Sequence, residues 1–365
     1  MSDDIVAHYS LPSWPDRKPD FVKPQEILSN KVILPNECIL VSRLNPIDHK
    51  TWRVSNDGAI PCIGSTEWAV ITPKEGVDID FLYALVTDVS FQVQLECFAT
   101  GTSASHQRVR HKDLMSINVN LFSKVNEQKI GRIINELRTI NLELIGGSAL
   151  ILETSQVLFD YWIDGKLFSE YGKVDTEQWE KASILDIGEF INGVAAQKYP
   201  PIDGEEALPV VKIREMQTGI DRGSNFASIT TPEKYHIQDG DILFSWAATL
   251  LVKHWHGVNS ILNQHIFKVI PGDFPAWFVF YTLRKEIGKF IHMAKDGETT
   301  MGHITRKQLQ NHLITLPPKE LIDSFTLIIE PLYLKSKSNI SFSNSITELM
   351  NSMLPKLISG QINPG

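Results

Sequence analysis

An internal repeat constrains the fold of this chain more than any other feature. The run ILPNECILVSR at 33–43 is followed 203 residues later by HIQDGDILFSW at 236–246, and both carry Ile-Leu-x-Ser after a polar turn. Four more pairs follow in the same order, and their spacing falls only to 195 residues: WAVI with FKVI, FLYALV with WFVFYTL, GTSASHQRVRHKDL with GETTMGHITRKQL, and LFDYWIDG with MLPKLISG. Ordered self-similarity of this kind indicates a duplicated architecture.

The two copies are unequal at their starts. Trp14 lies 19 residues before Ile33, whereas Trp179 lies 57 residues before His236. We therefore expect the first copy to lack the counterparts of LDIGEFINGV and LPVVKIREMQTG, which leaves open how its sheet closes.

Each copy combines a mixed segment with a helical one. Short β-rich runs such as LPVVKI, DILFSW and HIFKVI are bounded by Gly, Pro and Asp, and stretches such as DFLYALVTDVSFQVQLE between them have a helical pattern. The fold class predicted is α+β, with globular domains at 1–123 and 166–318.

The helical segments at 124–165 and 319–365 carry a seven-residue repeat. The repeat positions are Ile130, Leu137, Leu144, Ile151 and Leu158 in the first copy, and Phe325, Leu332, Asn339, Ile346 and Met353 in the second. Intermediate positions of the first helix (Ile134, Asn141, Ser148, Ser155) are mostly polar or small, so an ordinary long amphipathic helix on a domain core is the alternative. We expect two long antiparallel, coiled-coil-like helices of about 45 Å that separate the two domains in pseudo-twofold symmetry.

Composition predicts a soluble cytoplasmic protein. The three cysteines form no CxxC pair and are expected to be buried reduced thiols, and neither a signal peptide nor a membrane span is indicated. The net charge of −8 argues against nucleic-acid binding, because phosphate contact usually leaves a basic surface. Positive charge is nevertheless concentrated in two short segments.

Catalytic motifs are absent from the sequence. It contains no GxGxxG, GxxxxGK[ST], HExxH or GxSxG and no amino-methyltransferase motif, which weakens an enzyme hypothesis without excluding it. His254 and His256 could ligate a metal, but no further ligands occur at a recognisable spacing, so a structural or DNA-facing role is favoured. We expect no catalytic residue and no metal site.

The strongest functional candidates lie in the two Gly-led segments, whose hydroxyl, amide and guanidinium groups suit contact with phosphates and base edges. These candidate DNA-binding residues are Thr102, Ser103, Ser105, His106, Gln107, Arg108, Arg110 and Lys112, and then Thr299, Thr300, His303, Thr305, Arg306 and Lys307. A solvated loop before a helix start is the alternative for each segment, and the recurrence favours function. Weaker candidates are Arg43, His49, Lys50, Arg53, Lys212, Arg214, Trp246 and Lys253.

The order LPVVKIREMQTG, DGDILFSW, LNQHIFKVI, TTMGHITRKQLQNHLITLPP and MLPKLISG resembles the specificity subunits of type I restriction-modification enzymes. The strings SRLNP, HKTWRV, GSTEW and GTSASHQRV resemble their target recognition domains.

This resemblance implies a non-catalytic subunit that reads a bipartite target on double-stranded DNA through two target recognition domains. The helical pair would set the gap and dock two methyltransferase subunits, and endonuclease/translocase subunits would join for cleavage. No cofactor is expected in this chain, because S-adenosylmethionine, ATP and Mg²⁺ would be bound by the partner subunits. The alternatives are a protein-interaction scaffold built on the helical pair and a stand-alone DNA-modifying enzyme.

Overall fold

A computed structural model describes residues 5–100, 107–166, 176, 179–295 and 302–364 of the chain. These residues form two compact units. Unit 1 comprises residues 1–141 and 346–365, and unit 2 comprises residues 142–345. Each unit therefore contains part of both long helices.

The described residues of unit 1 form two small sheets and several helices, which include the end of the last long helix of the chain. The strands of the first sheet, in the order β2-β1-β6-β3, are β1 (Val6–Tyr9), β2 (Asp20–Val22), β3 (Lys31–Ile33) and β6 (Cys62–Ser65). The second sheet, in the order β5-β4-β7, comprises β4 (Glu37–Ser42), β5 (Thr51–Ser55) and β7 (Trp68–Ile71). The other α-helices are α1 (Ile79–Thr87), α2 (Val89–Cys97), α3 (His111–Leu114) and α4 (Lys124–Ile163).

Strand β4 lies at the centre of unit 1 because both of its faces are apolar. Cys38 and Leu40 pack with residues of the first sheet, whereas Ile39 and Val41 pack against the helices. A strand that is buried on both faces has a continuous apolar sequence, as ECILVS does. The cysteines are free thiols, and Cys97 is exposed, so its expected burial was wrong.

The described residues of unit 2 form three sheets. The first, in the order β11-β10-β15-β12, comprises β10 (Ala207–Val211), β11 (Phe226–Ser228), β12 (His236–Ile237) and β15 (Ser260–Leu262). The second, in the order β14-β13-β16-β9, comprises β9 (Gly188–Asn192), β13 (Ile242–Ser245), β14 (Leu251–His254) and β16 (Ile266–Pro271). The third pairs β8 (Glu180–Ser183) with β17 (Leu313–Leu316), and the helices are α5 (Ile213–Thr218), α6 (Ala276–Lys295), α7 (Arg306–Asn311) and α8 (Lys319–Ile358).

The two units repeat one strand topology. Strand β1 is parallel to β6 and antiparallel to β2, just as β10 is parallel to β15 and antiparallel to β11. Strand β4 pairs with β5 and β7, just as β13 pairs with β14 and β16. The α+β fold class and the duplication predicted from the sequence are confirmed.

The expected loss of LPVVKI from the first copy was wrong. β1 (Val6–Tyr9, sequence VAHY) has the same pairing as β10, which lies in that stretch, so the counterpart exists with a different sequence. Among the described residues of unit 1, strands β8 and β9 have no equivalent. Residues 116–121, which correspond in position to β17, consequently form no strand there.

The long helices run antiparallel in each unit. In unit 1, Ile130 and Ile134 of α4 share a core with Leu354 and Leu357 of α8. In unit 2, the end of α4 meets the beginning of α8, where Trp162 stacks on Phe325 at 4.5 Å between ring centroids.

The seam between the helices in unit 2 is made of small polar residues. Ser148 and Ser336 are buried, and the hydroxyl of Ser148 is 2.9 Å from both the hydroxyl and the carbonyl oxygen of Ser336. Gly147 faces Asn339 at the same level. Small side chains allow two helix backbones to approach closely, so these positions form the contact and are not gaps in a leucine zipper.

By length and composition alone, α4 is long and apolar enough to cross a membrane, which is weak evidence because the core helix of a soluble protein passes the same test.

Candidate nucleic-acid interface

The first Gly-led segment is tied to the turn that follows β4. In unit 1 the amide of Arg43 donates to the carbonyl of Glu67 at 3.0 Å, and the carbonyl of Arg43 accepts from the amide of Val109 at 2.9 Å. The amide of Asn45 donates to the carbonyl of Gln107 at 2.8 Å. We call this three-bond arrangement the clasp.

Unit 2 builds the same clasp after β13. The amide of Trp246 donates to the carbonyl of His265 at 3.2 Å, and its carbonyl accepts from the amide of Ile304 at 2.9 Å. The amide of Ala248 donates to the carbonyl of Gly302 at 3.0 Å. The turn after the Ile-Leu-x-Ser motif therefore holds the segment before the next short helix in both units.

The turn of each clasp adopts a left-handed backbone conformation. Asn45 has φ of 48° and Ala248, its counterpart, has φ of 57°. Asn tolerates this region, whereas it is uncommon for Ala and costs of the order of 1 kcal/mol. The hydrogen bonds of the clasp hold Ala248 in this conformation.

The clasp defines the register between the two Gly-led segments. Val109 and Ile304 occupy equivalent positions and are almost fully buried, at 1% and 2% exposure. Arg108 is therefore the counterpart of His303, and Arg110, the N-cap residue of α3, is the counterpart of Thr305, the N-cap residue of α7.

Charged side chains surround the clasp of unit 1. Arg108 is 61% exposed and its guanidinium lies 2.6 Å from the Glu67 carboxylate. Arg110 is 60% exposed and pairs with Asp113 at 2.6 Å, and this hydrogen bond raises the pKa of Arg110 and lowers that of Asp113. Arg43 donates to the carbonyl of Thr66 at 2.7 Å. Gln107 and Lys112 adjoin these groups in the sequence and are solvent-accessible.

Aromatic side chains take these positions in unit 2. The Trp246 indole N–H donates to Oδ1 of Asn192 at 3.0 Å, and its ring contacts His265, Phe267 and His303 at centroid distances of 5.6, 6.1 and 6.4 Å. Thr305 accepts from the amide of Gln308 in a capping box.

Two basic residues follow this cap in α7. Arg306 donates to the carbonyl of Phe190 at 3.3 Å, and both Arg306 and Lys307 are exposed.

Six of the candidates, namely Thr102, Ser103, Ser105, His106, Thr299 and Thr300, lie outside the described residues.

Among the weaker candidates of unit 1, only Arg43 is part of the clasp. Arg53 is almost buried, at 12% side-chain exposure, and its Nε lies 2.9 Å from Asp80, without hydrogen-bond geometry. Burial, partly opposed by Arg53, raises the pKa of Asp80. Lys50 pairs with Asp48 at 2.8 Å, and His49 pairs with Glu96. Because its side chain is almost buried, Arg53 has a packing role.

In unit 2, only Trp246 of the weaker candidates is part of the clasp. Arg214 pairs with Glu215 and Asp221 at 2.6 and 2.9 Å. Lys212 donates to Asn225, and Lys253 is exposed on β14.

The two histidines of β14 and the following loop have structural partners. His254 bonds to the Tyr333 hydroxyl at 2.8 Å and stacks on Phe280, and burial holds its pKa well below the usual value. His256 bonds to Asp239 at 3.2 Å. Within the described part of the chain, no group of three His, Cys, Asp or Glu residues is placed to hold a metal ion.

The sequence interpretation missed four residues at the clasps. Glu67 and His265 precede β7 and β16 and have equivalent backbone bonds, although their side chains differ. Asn192 and Phe267 support Trp246 in unit 2. From the sequence, only their equivalent positions directly before β7 and β16 could have revealed Glu67 and His265.

Part of unit 2 is similar to a known family of domains. Residues 176–322 match the family described as "Type I restriction modification DNA specificity domain". This range extends from β8 through the clasp of unit 2 to the beginning of α8.

Other similarities to known proteins extend over most of the chain. It is 21% identical to the Haemophilus influenzae type I restriction enzyme HindI specificity subunit, over 99% of this chain and 98% of the relative. It is 19% identical to the Methanocaldococcus jannaschii MjaIX specificity subunit, over 80% of this chain and 71% of the relative. The crystal structure of a type I restriction-modification system S subunit from M. genitalium shares the fold, with TM-score 0.52, 15% identity and coverage of 98% and 90%. The resemblance to type I specificity subunits is confirmed.

Proposed function

We propose that this chain selects a bipartite target on double-stranded DNA for a type I restriction-modification complex, with each unit reading one half of the target at its clasp. The observation that carries this proposal is the clasp itself. One backbone arrangement occurs twice, and the side chains on it differ between the units. Two related sites with different chemistry suit a target that has two different halves.

The clasp of unit 1 supplies groups for reading bases. Arg108 and Arg110 are exposed guanidinium groups, and a guanidinium can donate two hydrogen bonds to O6 and N7 of guanine in the major groove. Glu67 can accept from the amino group of cytosine. In the free protein Arg108 pairs with Glu67 and Arg110 pairs with Asp113, so binding exchanges ion pairs within the protein for bonds to DNA.

Net charge limits what the chain does alone. A charge of −8 opposes the approach of DNA phosphates, and backbone contact dominates non-specific affinity. We therefore assign most of the phosphate neutralisation to the partner subunits. The isolated chain should bind DNA weakly, and the assembled complex should bind it tightly.

We further propose that α4 and α8 set the gap between the half-sites and dock two methyltransferase subunits. Exposed apolar residues on these helices support docking, and they include Ile140, Leu142, Ile145, Leu150, Leu327, Ile328, Leu334 and Phe342. S-adenosylmethionine would be bound by those partners, and ATP and Mg²⁺ by endonuclease/translocase subunits. This chain contributes recognition and no catalytic group.

Replacement of Arg108 and Arg110 by Ala in the complex with methyltransferase subunits tests the proposal. The loss of a bidentate base contact costs about 1–3 kcal/mol, so methylation of the target should fall about 5- to 150-fold. The matched control is Lys74→Ala, which removes an exposed cation of unit 1 that lies outside the clasp and outside the long helices. Equal methylation by the double variant and the control would refute the assignment.

Two alternatives make different predictions. A stand-alone DNA-modifying enzyme would cut or methylate DNA without partners. A protein-interaction scaffold would assemble its partners without altering which DNA sequence they methylate.

A further inference from the structure

An apolar hollow of about 320 Å³ adjoins the clasp of unit 2. Its walls combine aromatic and aliphatic side chains with a few polar groups, and the lining residues are Asn192, Trp246, Phe267, His303, Ile304, Thr305 and Arg306. Ile304 and Phe267 are buried and form the floor, whereas Trp246 is partly exposed.

The Trp246 ring is held in place from several sides. Its only hydrogen-bond donor is engaged by Asn192 at 3.0 Å. The rings of His265 and His303 meet it edge-on, and Phe267 lies behind it at a tilt. The exposed part of the indole is therefore a rigid apolar surface with no donor left for a base edge.

The polar rim lies on one side of this surface. Thr305 caps α7, and Arg306 follows it with an exposed guanidinium that makes no ion pair among the described residues. A phosphate or a base acceptor can approach Arg306 while an apolar group enters the hollow. The hollow thus offers an apolar contact beside a cationic one.

The chemistry of DNA restricts what such a hollow can take. Bases present hydrogen-bond donors and acceptors in the major groove, and the only apolar group among the four standard bases there is the 5-methyl group of thymine. A rigid aromatic wall next to an aliphatic floor fits a methyl group.

We propose that the hollow at Trp246 receives the 5-methyl group of a thymine in the half-site read by unit 2, which makes Trp246 a specificity-determining residue. This inference rests on the proposed function. The equivalent positions in unit 1 are Arg43 for Trp246 and Arg108 for His303. Unit 1 therefore has cations where unit 2 has an apolar surface, and the two half-sites differ in the base chemistry they present.

The test uses the complex of this chain with its methyltransferase subunits and duplexes that carry its target. Each thymine of the half-site read by unit 2 is replaced in turn by deoxyuridine, which lacks only the methyl group. One replacement should weaken binding about tenfold, because a methyl group in an apolar pocket is worth at least that much. Deoxyuridine in the half-site read by unit 1 is the internal control.

Variants connect this effect to the hollow. Trp246→Ala should bind thymine and deoxyuridine duplexes equally, whereas Trp246→Phe should keep most of the preference and shows that the site still folds. Phe226→Ala, an exposed aromatic residue of unit 2 that does not line the hollow, should keep the full preference.

The outcomes separate the inference from the proposed function. A complex that binds no specific target refutes the proposed function. A complex that binds its target but shows no deoxyuridine effect, or whose preference persists in Trp246→Ala, overturns the inference alone. A unit 2 half-site that contains no thymine on either strand also overturns it.

Discussion

Replacement of Trp162 by Ala should destabilise unit 2 strongly. Trp162 is 1% exposed near the end of α4, stacks on Phe325 of α8 and contacts Trp277 at 5.9 Å. Truncation of a buried aromatic residue costs about 3–5 kcal/mol, and each favourable aromatic pair adds about 0.5–1.5 kcal/mol beyond the buried area. We therefore expect a loss of about 4–5 kcal/mol in the free energy of unfolding.

Urea unfolding followed by far-UV circular dichroism measures this loss. With a slope of about 2–3 kcal/mol per molar, the midpoint of the transition for unit 2 should fall by about 1.3–2.5 M. Tyr161→Ala is the matched control, because Tyr161 is the preceding residue and is 53% exposed. The control should change the free energy of unfolding by less than about 1 kcal/mol. An equally small loss in Trp162→Ala would refute the packing argument.

The remaining predictions concern acid stability and the helical pair. Burial alone would raise the pKa of Glu286, but hydrogen bonds from His312 and Lys289 outweigh burial and lower the pKa. The ionised carboxylate therefore stabilises unit 2 above about pH 4.5, and this contribution is lost as the pH falls further. The thermal unfolding temperature of Glu286→Gln should therefore depend less on pH below about 4.5 than that of the wild type. Parallel plots of unfolding temperature against pH for the two proteins would contradict the contribution of ionised Glu286 to stability. Insertion of one heptad after Leu144 and a matched heptad after Phe342 lengthens both helices by about 10 Å, so methylome sequencing should show a gap longer by at most about 3 base pairs with unchanged half-sequences. An unchanged gap would exclude the helices as the spacer.

The sequence predicted the duplication because its strongest matches are buried. Ile39, Leu40, Ile242 and Leu243 lie in the central strands of the two units, where packing on both faces restricts the choice of residue. Strand β1 was missed although Val6, Ala7 and Tyr9 are also buried. Its pairing with β6 is conferred by backbone hydrogen bonds, which leave the sequence VAHY free to differ from that of β10.

The sequence placed the two Gly-led segments in equivalent parts of the two copies but left their residue-by-residue register undefined. The buried residues Val109 and Ile304 supply that register, because core packing restricts them. The sequence did not predict the contact between α4 and α8 at Ser148, because serine does not fit a zipper pattern. The small size of serine nevertheless permits the close contact with Ser336.

We propose that each clasp reads its own half of one DNA target. Methylome sequencing of cells that express the partner subunits with the wild-type chain, with Arg108→Ala or with Trp246→Ala tests this proposal. We expect a bipartite target in which Arg108→Ala relaxes one half and Trp246→Ala relaxes the other. A single uninterrupted target, or two variants that alter the same half, would contradict it.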